Sequence, residues 1–177
     1  MVSSGAHRLS DIRWDDLNFS AGYDPGLAYG QAKTVDILFA VELDRRYARD
    51  GIRAFAAHPG IAVETSLAHL DTALYTVEER RDQGLLDQND RPIIDPEREQ
   101  KTIEQAAATI AFGAANPLLD GLGGLYLKNS DVAALDTSTD PVRLVEGHPV
   151  VRTDVALHAL DPNAAGRLWE LSERLAA

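Results

Sequence analysis

The pattern of apolar and polar positions divides the first half of the chain into one helix and one strand. From Leu27 to about Arg49 the apolar residues recur at helical spacing, and Gly51 follows as a natural helix terminator. Residues 52–58 form a short apolar run of strand length, which the Pro59-Gly60 turn closes.

The second half predicts two further helices and another strand. An alanine-rich helix is expected from Thr102 to about Ala115, where Asn116-Pro117 stops it. Residues 123–127 have the composition of a strand, and Asp161-Pro162 opens a last amphipathic helix. Residues 129–160 are weakly patterned, and we expect them to form a connection.

The remaining segments are polar or very short. Residues 1–4 match the end of a buried strand, residues 5–26 form a polar connector, and residues 61–100 are irregular with a loop tip at 87–92. The resulting order is strand end, helix, strand, helix, strand, helix. This alternation predicts a single α/β domain over residues 1–177, with a thin parallel sheet covered by helices.

Composition and charge exclude several classes of function. Of the residues, 45% are hydrophobic and 25% are charged, as in an ordinary globular protein. The net charge of −11 argues against nucleic-acid binding, and the absence of cysteine excludes thiolate chemistry. Because we find neither a membrane-spanning apolar run nor a signal peptide, we expect a cytoplasmic location.

The candidate chemistry depends on a tyrosine and a lysine one helical turn apart. Tyr29 and Lys33 share a helix face, and an ammonium near a phenol lowers the pKa of the phenol. Ser4, 25 residues before Tyr29, has a hydroxyl that can hydrogen-bond a substrate carbonyl. The alternatives are an ordinary surface helix carrying one aromatic and one charged residue, and a serine that only caps a turn.

The histidines do not have the spacing of metal ligands, so no metal site is predicted. We assign four of them to surface or supporting roles: His7, His69, His148 and His158.

Several motifs together resemble the carboxy-terminal half of a short-chain dehydrogenase/reductase. They are Val-Ser-Ser-Gly-Ala-His at 2–7, Ala-Tyr-Gly-Gln-Ala-Lys at 28–33 and His-Pro-Gly at 58–60, in the family's order and with its gaps. The branch they resemble includes retinol-dehydrogenase-like and WW-domain-oxidoreductase-like proteins. The implied fold is α/β, an incomplete Rossmann-like (doubly wound) parallel sheet that lacks the first strands.

The resemblance implies a role for each matching residue. Tyr29 would be the catalytic acid/base, Lys33 would lower its pKa and hold the nicotinamide ribose, and Ser4 would orient the substrate carbonyl. The nicotinamide ring of NAD or NADP would lie against Pro59, Gly60 and Thr65. Residues 61–100 would be the variable segment that closes over a small alcohol or carbonyl substrate.

The sequence also departs from the family. The glycine-rich turn that binds the pyrophosphate is missing, and Gly121 to Gly124 lies in the wrong context to replace it. Met1 directly abuts the end of a strand, as in a truncated reading frame. Two hypotheses therefore stay open: an NAD(P)-dependent oxidoreductase, or a truncated, non-catalytic fragment that forms a homo-oligomer, self-associates or needs a partner chain.

Overall fold

A computed structural model describes residues 1–63, 65, 76–82, 84–145 and 147–177. The α-helices within these residues are α1 (Pro25–Tyr47), α2 (Val77–Asp82), α3 (Ile103–Ala115) and α4 (Pro162–Ala176). The strands are β1 (Phe55–His58), β2 (Ile61–Ala62), β3 (Gln100–Lys101), β4 (Leu125–Lys128), β5 (Asp131–Val132), β6 (Leu135–Asp136), β7 (Val142–Val145), β8 (His148–Val151) and β9 (Val155–Ala156).

A small, mostly parallel sheet lies at the centre of the fold. Strands β1 and β4 pair in parallel, with Phe55 opposite Leu125, and β5 pairs antiparallel with the outer edge of β4. On the other edge of β1, Val2 forms a parallel bridge with Ala57. The prediction that residues 1–4 form the end of a strand is therefore confirmed, although Met1 and Val2 are exposed and not buried.

Helices cover both faces of this sheet, as a doubly wound fold requires. On one face, Ile37 of α1 packs in a cluster with Ala56 and Tyr126 of the strands. On the opposite face, Leu127 packs with Ala57 and with Phe112 of α3. Alternate residues of each strand point to opposite sides, which is why neighbours in sequence enter different clusters. The predicted incomplete, doubly wound α/β fold is confirmed.

Local capping sequences fix the beginnings of the long helices. Helix α1 begins two residues earlier than predicted, because the Asp24 carboxylate accepts the Leu27 N–H at 2.8 Å and Pro25 occupies the first turn. Thr102 and Gln105 form a reciprocal capping box at α3, and the Asp161 side chain caps α4.

The connection predicted at residues 129–160 is more structured than expected. It contains the antiparallel β7–β8 hairpin, and β6 pairs in parallel with β9. Strands of two to four residues carry too little periodicity to stand out in a sequence, and here they form by pairing with one another. The variable segment at 61–100 lies partly outside the described residues.

Within the described part of the chain, each helix is too short or too polar to cross a bilayer.

Candidate active site

The first residues of the chain are held against β1 by backbone hydrogen bonds. The Met1 amino group donates to Phe55 O at 2.8 Å, and the Ala57 N–H donates to Met1 O at 3.0 Å. The Ser3 N–H then donates to Ala57 O at 2.9 Å. This pairing places Ser4 where the strand ends, at the carboxyl edge of the sheet, which is where parallel α/β sheets bind ligands.

Ser4 opens a short 3-10 turn, Gly5–Leu9. Its backbone is extended, and its Oγ accepts the Ala6 N–H at 3.2 Å. Ser4 therefore does cap a turn. Since the capping oxygen acts as an acceptor, the hydroxyl hydrogen can still be donated to a carbonyl, so a cap and a substrate contact are compatible.

Helix α1 packs unusually close to this turn, because Gly30 has no side chain. A Cβ at Gly30 would lie 2.8 Å from Ala6 O and 3.1 Å from Leu9 Cβ. One residue earlier, Tyr29 is 43% exposed on the surface of α1. The glycine brings the helix that carries Tyr29 and Lys33 against the turn that Ser4 begins.

Lys33 connects α1 to the first strand segment. Its ammonium donates to Val2 O at 3.1 Å and to the Asp36 carboxylate at 3.0 Å, and it lies 5.5 Å from the centre of the Tyr29 ring. The Ser3 hydroxyl donates to Lys33 O at 2.7 Å and holds the same turn of the helix. The structure thus brings the predicted Ser4, Tyr29 and Lys33 segments together.

The predicted nicotinamide-contacting residues follow β1. Gly60 has a left-handed backbone (φ +84°), and a Cβ there would lie 2.7 Å from the Lys101 side chain. The Thr65 hydroxyl donates to Ala62 O at 2.8 Å, so its hydrogen closes a local turn. The roles assigned to Pro59, Gly60 and Thr65 stay predictions.

A buried carboxylate beside this loop was missed by the sequence analysis. Glu99 is 3% exposed and accepts the Thr153 hydroxyl at 2.9 Å. Lys128 lies 3.4 Å from one carboxylate oxygen and Lys101 lies 3.5 Å from the other. The only available signal was that lysine is scarce in this chain, which has only three, two of which meet at Glu99.

Burial of Glu99 and its polar neighbours shift the pKa of its carboxylate in opposite directions. Burial alone would raise the pKa of Glu99, but His58, the Thr153 hydroxyl and the two lysines outweigh it and lower that pKa below its usual value. Glu99 is therefore ionised at neutral pH, as a carboxylate between two ammonium groups should be.

A pocket of about 320 Å³ opens beside this cluster. Ser4, His58 and Glu99 line it, together with apolar side chains that include Ile61 and Val150. Its size suits a small organic molecule. Among the described residues, Tyr29 and Lys33 do not line this pocket, so it adjoins the Ser4 side of the candidate site only.

Of the two roles predicted for His7, surface or supporting, the structure excludes the surface one. His7 is completely buried, and its ring packs edge-on against Tyr126 at a centroid distance of 5.1 Å. Its surroundings belong to the core because α1 and the β9 segment close over the first turn. His158 is partly exposed, whereas His69 and the side chain of His148 lie outside the described part.

Comparison with known proteins places this arrangement in a family. The chain is 42% identical over 171 residues to a Streptomyces lividans protein named "Probable oxidoreductase", covering 96% of this chain and 52% of that protein. It is 31% identical over 175 residues to a short-chain dehydrogenase/reductase of Penicillium roqueforti, covering 98% of this chain and 45% of that protein. A WW domain-containing oxidoreductase of Danio rerio is 34% identical over 183 residues, with 99% of this chain and 36% of that protein covered.

This chain belongs to the short-chain dehydrogenase/reductase family. It spans about half the length of the curated relatives it matches, and the matched part is their carboxy-terminal half. No protein-family model matches it. A crystal structure of an uncharacterized protein from Mycobacterium paratuberculosis is 29% identical, with a TM-score of 0.47 over 98% of this chain and 48% of that chain.

The family implies a nicotinamide cofactor, and the residues present fit one end of it. An ammonium has three N–H donors, and Val2 O and Asp36 account for two of those of Lys33 in the described structure. The third would be offered to a ribose hydroxyl of the cofactor. The sequence given contains no glycine-rich turn between a strand and a helix, which is the element that would hold the pyrophosphate.

Proposed function

We propose that this chain carries the proton-transfer and substrate-orienting groups of an NAD(P)-dependent oxidoreductase that interconverts an alcohol and a carbonyl. The observation that carries this proposal is the ammonium of Lys33, which lies 5.5 Å from the Tyr29 ring on the helix turn next to Ser4. The names of the relatives support an oxidoreductase in general. The cofactor, the roles of the residues and a cytoplasmic location are part of the proposal.

Each residue has a distinct task in this mechanism. The Ser4 hydroxyl donates a hydrogen bond to the substrate carbonyl oxygen and orients it. In reduction, Tyr29 gives its phenolic proton to that oxygen as the C–H bond forms at the carbonyl carbon, and in oxidation the phenolate takes the alcohol proton. A bound nicotinamide supplies or accepts the hydride. Lys33 stabilises the phenolate by its charge and holds the ribose.

The test uses the chain as it is, with NADH or NADPH and a series of aldehydes and ketones. Nicotinamide fluorescence measures binding, and loss of absorbance at the reduced-cofactor band measures turnover. Tyr29→Phe should reduce kcat by about a hundredfold or more, which is the usual contribution of a general acid. Tyr23→Phe is the matched control, since Tyr23 lies just before α1 and is 73% exposed. Equal activity of Tyr29→Phe and the wild type would refute the role of Tyr29.

A second candidate function is association through the sheet edge formed by the first residues. Among the described residues, the segment at Val2 pairs with β1 only. Beside it lies an apolar pocket of about 300 Å³ that Val2, Leu43, Phe55 and Ile110 help to line. An unpaired edge with apolar surroundings favours pairing with another strand.

We expect the isolated chain to form homo-oligomers or to bind a partner chain through this edge. Sedimentation velocity over a hundredfold range of concentration tests it, with Val2→Lys as the variant and Val132→Lys, on the exposed β5, as the control. A monomer at all concentrations would contradict self-association.

A further inference from the structure

Two buried histidines contact opposite ends of the peptide group that joins Ser4 to Gly5. The carbonyl oxygen of Ser4 lies 2.8 Å from His7 Nδ1. The N–H of Gly5 donates to His58 Nδ1 at 3.3 Å. The two residues are 0% and 3% exposed.

The backbone partners determine the tautomer of each ring. The Ala156 N–H donates to His7 Nε2 at 3.1 Å, so Nε2 has no hydrogen and Nδ1 carries it. His7 Nδ1 can therefore donate to the Ser4 carbonyl. His58 accepts at Nδ1, so its hydrogen is on Nε2, which lies 3.9 Å from a Glu99 oxygen. The two rings adopt opposite tautomers, one a donor and the other an acceptor.

Both rings must be neutral for this arrangement. Burial lowers the pKa of His7 to about 4; the hydrogen bond to Ser4 acts to raise it, and His158, Arg8 and His58 lower it further. Burial likewise lowers the pKa of His58 to about 4; Glu99 and Asp154 act to raise it, whereas Lys101 and Lys128 lower it further. A proton added to either ring would remove the acceptor that Ala156 or Gly5 uses.

We propose that His7 and His58 are positioning residues that fix the Ser4–Gly5 peptide plane and thereby direct the Ser4 hydroxyl at the substrate. The inference rests on the proposed function of Ser4. A peptide group is planar, so two hydrogen bonds on its opposite edges set the rotation on both sides of it. One of those rotations, the ψ angle of Ser4, sets where the serine side chain stands relative to the turn.

The glycine after Ser4 lets this peptide reach its partners. A Cβ at Gly5 would lie 2.7 Å from Thr153 Cγ2 and 3.2 Å from Arg152 O. Thr153 in turn donates to Glu99, which faces His58. The pocket beside Ser4 thus has a wall in which the serine, His58 and Glu99 are held by one connected set of contacts.

The first test needs no enzymatic activity. Long-range ¹H–¹⁵N NMR spectra of the histidine rings report tautomer and protonation directly. We expect His7 as the Nδ1–H tautomer and His58 as the Nε2–H tautomer, both neutral down to about pH 5. The same tautomer in both rings, or titration near pH 6.5, would overturn the proposal even if the chain proves inactive.

The second test separates positioning from folding by rescue. In His58→Asn the side-chain oxygen can accept the Gly5 N–H, and in His7→Asn the side-chain N–H can donate to Ser4 O. The Leu variants at the same two positions can make neither hydrogen bond. His58→Leu should speed hydrogen exchange of the Gly5 amide and lower kcat by about tenfold to a hundredfold with KM little changed. His58→Asn and His7→Asn should recover much of the lost rate.

The control is Glu42→Gln, a substitution at a fully buried carboxylate bound by Arg45 and Arg46 farther along α1. It should lower stability and leave kcat unchanged. Equal kcat values for the Leu and Asn variants, or an unchanged Gly5 exchange rate in folded His58→Leu, would refute the positioning role. If a Leu variant does not fold, the wild-type NMR spectra still decide between the outcomes.

Discussion

Because α1 packs against the turn that Ser4 begins, we predict that replacing Gly30 by Ala lowers the stability of the fold, whereas the same replacement at Gly166 raises it. Replacing Gly30 by Ala adds a Cβ 2.8 Å from Ala6 O, 3.1 Å from Leu9 Cβ and 3.2 Å from Ser10 N. Two of these three atoms belong to backbone, which cannot rotate away. The helix therefore has to move off the turn.

The size of the change in unfolding free energy for Gly30→Ala follows from two opposing contributions. Alanine in place of glycine stabilises a helix by about 1 kcal/mol, and overpacking costs about 1–3 kcal/mol. At contacts this short we take the upper end, which leaves Gly30→Ala destabilised by about 2 kcal/mol, or roughly 4–8 °C in Tm for a domain of this size.

Gly166 provides the matched control. It lies inside α4, and a Cβ there would meet no atom within 4 Å. Gly166→Ala should therefore raise stability by about 1 kcal/mol through helix propensity alone.

Urea and thermal unfolding followed by far-UV circular dichroism measure both variants. A Gly30→Ala chain that is stabilised as much as Gly166→Ala would show that α1 does not lie against the Ser4 turn. The packing on which the candidate site depends would then be wrong.

Three further outcomes test the buried charges and the loop after β1. The pKa values of His7 and His58 are about 4 in the folded state and near 6.5 in the unfolded state, so the unfolded state binds more protons between pH 4 and pH 6.5. The free energy of unfolding, measured with urea, should therefore fall by up to about 3 kcal/mol per histidine as the pH drops through that window. Glu99 has a lowered pKa in the folded state, so its contribution to stability is present above its unfolded pKa and is lost as the pH falls through the folded pKa. Glu99→Gln should therefore cost about 3 kcal/mol at pH 7, and the difference from wild type should shrink as the pH falls below the unfolded pKa. Gly60→Ala should lower Tm more than Gly51→Ala, since both glycines have positive φ but only the first would also crowd its neighbours.

Much of the candidate site was predictable because its signals are local. The four-residue spacing of Tyr29 and Lys33 places them on one face of any α-helix, and the capping residues Thr102 and Asp161 act on the helices that they begin. The strand end at residues 1–4 was recognisable from its motif, whereas its pairing with β1 was seen only in the structure.

The parts that escaped prediction are those created by contacts between distant segments. Glu99 is charged and stands in a polar stretch, so its sequence surroundings indicate a solvent-exposed side chain. Its burial arises because Thr153 and Lys128, more than 25 residues away, converge on it. The burial of His7 escaped prediction for the same reason, since the Ala156 backbone that covers its ring is 149 residues away.

The sequence by itself determined the alternation of the long helices with the central strands and the family, and it indicated the hydroxyl and ammonium groups that we propose for proton transfer, because periodicity, caps and short motifs act over a few residues. Only the tertiary structure decided the lowered pKa values of His7 and His58 and the ion cluster at Glu99. Those properties depend on burial and on hydrogen-bond partners that the chain brings together only when β1, β4 and the β9 segment close around the Ser4 turn.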